Sequence, residues 1–196
     1  MPDIERLRKN LEANGFRTVC FDTGEEVRAY LDRELDGVTI GFGGSETSWK
    51  LGLYQLLSRH NQCRWVRMGD AAAEAVNAPC YICSLNGVAE TGELVNIDGN
   101  GNRVAATLYG KEKLYFIIGR NKIAPDLHAA IDRARNIAGP LNARRLEKKT
   151  PCVCGEPRCH DCASPERICA AMVVYWKKPT SIREAEVIIV NQDLGY

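Results

Sequence analysis

The stretch Gly37-Val38-Thr39-Ile40-Gly41-Phe42-Gly43-Gly44-Ser45-Glu46-Thr47 decides how the chain is read. An apolar run with β-branched residues gives way to two glycines, a hydroxyl and an acid, then to a helical stretch reaching about Leu57. A strand feeding a helix through a glycine turn is half of a βα unit. The flanking segments repeat the alternation. Upstream, Ile4, Leu7 and Leu11 recur at helical spacing with Asn14-Gly15 as a stop, and Arg17–Phe21 reads as a strand. Thr23 and Glu26 form a capping box for a helix carrying Val27, Tyr30, Leu31 and Leu35. Downstream, residues 63–68 and 80–84 read as strands around a helix at 70–76, and Lys113–Gly119 as a buried strand. This pattern predicts an α/β fold with a largely parallel central sheet flanked by helices.

Other segments depart from the alternation. Residues 93–98 and 103–109, joined by the turn-forming Gly99-Asn-Gly-Asn102, read as a β-hairpin. Pro125 sits in first-turn position for a helix bearing Leu127 to Ile137, which Gly139-Pro140 should end before a shorter helix through Leu146. Two strands, at 172–176 and 185–190, close the chain, and residues 1–196 read as one domain with a Cys-rich insertion at 150–170.

The 196 residues are 45% hydrophobic, enough for a core, and 26 basic against 25 acidic side chains leave +1. That balance argues against a generic nucleic-acid or membrane-surface binder. No apolar run approaches a membrane span and no leader opens the sequence, so a cytoplasmic protein is expected. Three histidines without an H-E-x-x-H exclude zincin chemistry. Nine cysteines in a reducing compartment mean buried hydrophobes, reactive thiols or metal ligands. Cys20, Cys63, Cys80 and Cys83 lie in strand-like runs and read as core; Cys80 and Cys83, three apart on a strand, should face opposite ways.

Four segments could carry chemistry. Gly43, Gly44, Ser45 and Thr47 form a loop that could bind a phosphate or carboxylate, or a tight turn with Ser45 as helix cap. Just past the strand at 80–84, Asn86, Glu90, Asp98, Asn102 and Arg103 stand among glycines where α/β sheets hold ligands. Glu90 or Asp98 could there be a nucleophile or general base, or the strip could be a solvated hairpin. Arg120, Asn121 and Lys122 follow the strand ending at Gly119, and residues 133–150 hold six basic residues against one acid. Such a patch could receive an anion or an acidic partner, or be a solvated face. Lastly, Cys152, Cys159, Cys162 and Cys169 give C-x6-C-x2-C-x6-C, with Cys154 and His160 as spare donors. Four thiolates suit zinc or an iron–sulfur cluster such as 4Fe-4S, and spacing does not choose between them.

The runs Gly-Gly-Ser-Glu-Thr at 43–47, Glu90-Thr-Gly92, Val95-Asn-Ile-Asp-Gly-Asn-Gly-Asn-Arg-Val104 and Gly119-Arg-Asn-Lys-Ile-Ala-Pro-Asp126 resemble the lactate-utilization (LUD) domain family. So do Pro140-Leu-Asn-Ala-Arg-Arg145, Thr150-Pro-Cys152, Cys159-x2-Cys162, Arg167-Ile-Cys169 and Asp193-Leu-Gly-Tyr196. The likeness spans nearly the whole chain. It implies a fold similar to the sugar-phosphate isomerase and CoA-transferase group, and a link to L-lactate oxidation by a multi-component iron–sulfur system. The transferases carry Ser-Glu-Asn-Gly with a thioester-forming Glu; Ser84-Leu85-Asn86-Gly87 has Leu there, which puts that mechanism in doubt. A small anionic metabolite is expected between the 43–47 loop and the 90–103 strip. The alternatives are an accessory subunit docking an iron–sulfur oxidoreductase through its basic stretch, or an isomerase- or transferase-like enzyme on sugar phosphates or CoA esters.

Overall fold

The computed structural model describes residues 2–196. In chain order its elements are α1 (Ile4–Ala13), β1 (Arg17–Phe21), α2 (Gly24–Glu34), β2 (Thr39–Phe42), α3 (Glu46–Lys50), α4 (Leu53–Leu57), β3 (Gln62–Trp65), α5 (Ala72–Asn77) and β4 (Cys80–Cys83). They continue with β5 (Gly87–Ala89), β6 (Leu94–Asp98), α6 (Asn102–Leu108), β7 (Lys113–Gly119), β8 (Ile123–Ala124) and α7 (Leu127–Arg133). The last are α8 (Gly139–Arg145), α9 (Pro151–Cys154), β9 (Ala171–Tyr175) and β10 (Glu184–Val190). Six strands form one parallel sheet in the order β1-β10-β7-β4-β2-β3. Strand alternation divides the core between its two faces. Tyr81, Cys83, Leu114, Phe116, Ile118, Val187 and Ile189 pack with Leu7 and Leu11 of α1. Ile82, Tyr115, Ile117, Ile188 and Val190 pack with Val27 and Leu31 of α2. Strands buried on both faces need continuous apolar runs, which β7 and β10 supply. Cys80 and Cys83 fall on opposite faces, and burial pushes each thiol up to about 12. Cys20 departs from its core reading: it lies on edge strand β1 and is exposed.

A second sheet, β8-β5-β6-β9, stands beside the first. Its hairpin is β5–β6, with Gly87 opposite Val95, and not the expected pairing of 93–98 with 103–109. Residues 102–108 are helical because Asp98 satisfies the first turn of α6: its carboxylate accepts from the Arg103 and Val104 N–H groups at 3.0 and 3.2 Å. The partner that replaces them in the sheet is β9, whose Tyr175 lies opposite Leu94. Two further expectations change. Asp126, not Pro125, opens α7, its side chain accepting from Ala129 N at 2.8 Å. Gly139-Pro140 does not end that helix, which passes through a π-type turn at Ala134–Ala138 straight into α8. Pro140 falls in the first turn of α8.

Candidate functional site

In open parallel sheets, ligands sit beyond the carboxyl ends of strands where adjacent connections part. Here that place lies between β2 and β4, since β2 leads outward to β3 and β4 leads the other way towards β7. Gly43 N donates to Ile82 O at 3.0 Å, holding the loop against β4. A β-carbon on Gly43 would stand 2.9 Å from Cys83 Cβ and 3.2 Å from Arg103 Cγ, so glycine is needed for this approach. Ser45 does cap α3, its Oγ accepting from Ser48 N at 3.1 Å.

The turn after β7 carries Lys122 into this crevice. Its Nζ lies 2.7 Å from Ser84 Oγ, 3.1 Å from Leu85 O and 3.2 Å from Thr47 Oγ1. The side chain is buried, and burial lowers its basicity well below the ordinary lysine range; Arg133 and Arg103 push the same way. Lys122 is therefore unlike the surface cation expected for anion binding. Asn121 positions rather than binds: its Oδ1 accepts from Leu194 N at 3.0 Å. Residues 193–196 close over the amine. A β-carbon on Gly195, where φ is +65°, would lie 2.5 Å from Thr47 Oγ1 and 3.3 Å from Lys122 Nζ.

A small cavity of about 30 Å³ opens in front of these groups, its wall including Gly44, Ser45, Ser84, Asn86, Arg103 and Lys122. Arg103 donates to Gly44 O at 3.2 Å and to Ile97 O, while its buried Nε has no partner. Glu46 bridges Arg67 and Arg145 at the rim. Arg67 is held between the rings of Trp49 and Trp65, 5.5 and 5.4 Å from their centroids. The cavity shares Gly44, Arg67, Arg103 and Arg145 with a larger cleft of about 460 Å³. That cleft adds Lys148 and Arg167 against Asp98 and Glu166, and Trp65, whose buried Nε1 also has no partner, lines it too.

The structure thus brings Gly44, Ser45, Asn86, Arg103 and Lys122 together, with Thr47 behind Lys122 and Asn102 on the adjoining cleft. Glu90 is not among them. Its carboxylate accepts from Asp3 N at 2.9 Å and pairs with Arg6 at the start of α1. Asp98 borders the cleft, but its oxygens are engaged by backbone N–H groups of the 100–104 turn. Arg120 turns outward to Asp193 at 3.0 Å. The basic stretch disperses: Arg133 is buried and donates to Asn121 O and Asn86 O at 2.6 and 2.5 Å, its pKa lowered to about 10 by burial. Arg135 pairs with Asp161, and Arg145 with Glu46. Ser84 and Arg67 are not candidate site residues in the sequence reading, and Arg133 enters it only as part of the basic stretch. Ser84 alone carried a signal, since it ends a buried strand as Gly43 follows one.

Cys152, Cys159, Cys162 and Cys169 line a single cavity of about 270 Å³; Cys154 is exposed and does not border it. The cavity shares Ile97, Arg167 and Ile168 with the cleft. Its loop is anchored by Asn136 Oδ1, which accepts from Cys159 N at 2.8 Å, and by Ala170 N donating to Asp98 O at 2.9 Å. Arg135 donates to Cys159 Sγ at 3.4 Å and Arg167 to Cys169 Sγ at 3.2 Å. Among the described residues, no three His, Cys, Asp or Glu side chains converge as a site for one metal ion. No helix among them is long and apolar enough to cross a membrane.

The LUD domain model matches residues 4–190 of the chain. No curated protein matches it. A solved structure described as a DUF162 family protein from Deinococcus radiodurans is similar over 95% of both chains, with TM-score 0.57 and 11% identity. At that identity the likeness concerns the fold.

Proposed function

The chain belongs to the LUD domain family, and on that premise we propose that it serves the use of L-lactate or a related 2-hydroxy acid. In this reading it holds a small anion in the β2–β4 crevice and an iron–sulfur centre at the four cysteines. The observation that carries the reading is the cysteine cavity. Four thiols line it, the number that a 4Fe-4S cluster takes. Such a cluster binds each of its four thiolates through a different iron, so its ligands stand apart around a space larger than one ion. About 270 Å³ is many times the roughly 10–15 Å³ that a single water-sized occupant needs. Arg135 and Arg167 bring positive charge to two of the sulfurs, suited to an anionic cluster. When bound, such a cluster accepts and passes on single electrons. The anion, a carboxylate in size, takes Gly44, Asn86 and Arg103 as its neighbours.

Purification without oxygen, followed by iron, sulfide and zinc analysis, tests this. Brown protein with equal iron and acid-labile sulfide is expected. Colourless protein with one zinc per chain, or metal-free protein of unchanged stability, would overturn the reading.

A second reading, an accessory subunit for an iron–sulfur oxidoreductase partner, is favoured by one feature. Edge strand β9 leaves Met172 half-exposed on the wall of the cysteine cavity and is followed by the exposed Trp176. Steady turnover of a hydroxy acid by the purified chain alone would count against it.

A further inference from the structure

Around Lys122 an unprotonated amine has an arrangement that satisfies every group, although the Thr47 hydroxyl also lies 3.3 Å from Ser84 Oγ and an ammonium could donate to all three neighbours. An unprotonated amine offers two N–H donors and one lone pair. Leu85 O, at 3.1 Å, can only accept, so it takes one N–H. The Thr47 hydroxyl can donate to Leu194 O at 3.4 Å, which frees its oxygen to accept the second N–H at 3.2 Å. The lone pair then faces the nearest neighbour, the Ser84 hydroxyl at 2.7 Å. A protonated Lys122 would instead be a buried cation with Arg103 and Arg133 as its charged neighbours and no carboxylate in contact.

The geometry points to Ser84 and Lys122 as a nucleophile and base for acyl transfer, acting on a small acyl ester or thioester whose leaving group carries negative charge. Ser84 and Lys122 both border the small cavity, which admits an acyl group of a few atoms. The leaving group would extend into the adjoining cleft, where Arg67, Arg103, Arg145, Lys148 and Arg167 face two carboxylates. Ser84 Oγ attacks the acyl carbon while its proton passes to Lys122 Nζ. The bond from the acyl carbon to the leaving oxygen or sulfur then breaks, and Lys122 returns the proton to that atom. Water attacks the acyl-serine, giving its proton to Lys122, and the Ser84 oxygen leaves and recovers a proton from it. No redox partner is needed. The inference places the acyl group in the crevice proposed above for the small anion and the leaving group in the cleft beside it, and it does not depend on the cysteine cavity.

The test is labelling with a small uncharged alkyl fluorophosphonate, which needs neither an anion site nor a cluster, so its failure is separable from failure of the lactate reading. Peptide mapping of the wild-type chain should find the phosphonyl adduct on Ser84. The adduct should be lost in Ser84→Ala and reduced at least a hundredfold in Lys122→Met. An unlabelled Ser84 in folded wild-type protein, or equal labelling in a folded Lys122→Met variant, would overturn the proposal. Should that variant not fold, the pH profile of wild-type labelling decides. Burial, reinforced by Arg133, Arg103 and Lys50 and opposed by Cys83, leaves the amine titrating below the usual lysine range. The rate should therefore level off at a midpoint well under about 10.4, the ordinary lysine value. A rate rising with hydroxide past that value refutes it.

Discussion

Replacing Lys122 with methionine tests the physics of the crevice by equilibrium alone. The lysine is 3% exposed and its folded-state pKa is lowered, first by burial and then by Arg133 and Arg103. Between that lowered value and the ordinary one near about 10.4, the unfolded chain holds a proton that the folded chain lacks. Stability contributed at this position is thus greatest at high pH and is lost as pH falls through that window. One proton corresponds to a slope of about 1.4 kcal/mol per pH unit. Methionine keeps the unbranched shape but removes three hydrogen bonds, an offset of about 1 kcal/mol each that does not vary with pH. Urea denaturation of both proteins in reductant, followed by the fluorescence of the three tryptophans, gives the difference at pH 8, 8.5 and 9. Wild type should lose stability relative to the variant as pH is lowered through that window, by at most about 1.4 kcal/mol per unit. Parallel stability curves would refute the reasoning, because they would mean that Lys122 keeps its proton on folding.

Gly43→Ala should destabilise by about 1–3 kcal/mol in chemical denaturation, since its methyl group meets Cys83 and Arg103. Gly44→Ala, with nothing within 4 Å, should change stability by no more than about 1 kcal/mol. Glu90→Gln weakens the tie to Asp3 N and Arg6, so a loss of about 0.5–1 kcal/mol is expected, with anion affinity unchanged in calorimetry. If anaerobic preparations carry the proposed cluster, Cys162→Ser should lose iron and sulfide and Cys154→Ser should retain them, as metal analysis of both would show.

The sequence by itself determined the elements whose physics is local or periodic. The apolar run Lys113–Gly119 reads as a buried strand, and as β7 it is buried on both faces, Leu114, Phe116 and Ile118 on one and Tyr115 and Ile117 on the other. The Thr23–Glu26 capping box needs only four neighbouring residues, and it is present. The four-cysteine spacing likewise picked out the thiols that line one cavity and left out Cys154. Short segments were less legible. Residues 103–109 suit a strand by composition, and the Asp98 carboxylate at their head makes them a helix. Tertiary structure alone decided which polar groups share a space. Glu90 and Asn86 lie four residues apart on one connection, yet Glu90 goes to α1 and Asn86 to the crevice, because β5 turns the chain between them. Ser84 and Lys122 are 38 residues apart and meet because β4 and β7 are hydrogen-bonded neighbours whose carboxyl ends lie on the same edge. Pairing of distant strands sets that distance, and no local pattern encodes it.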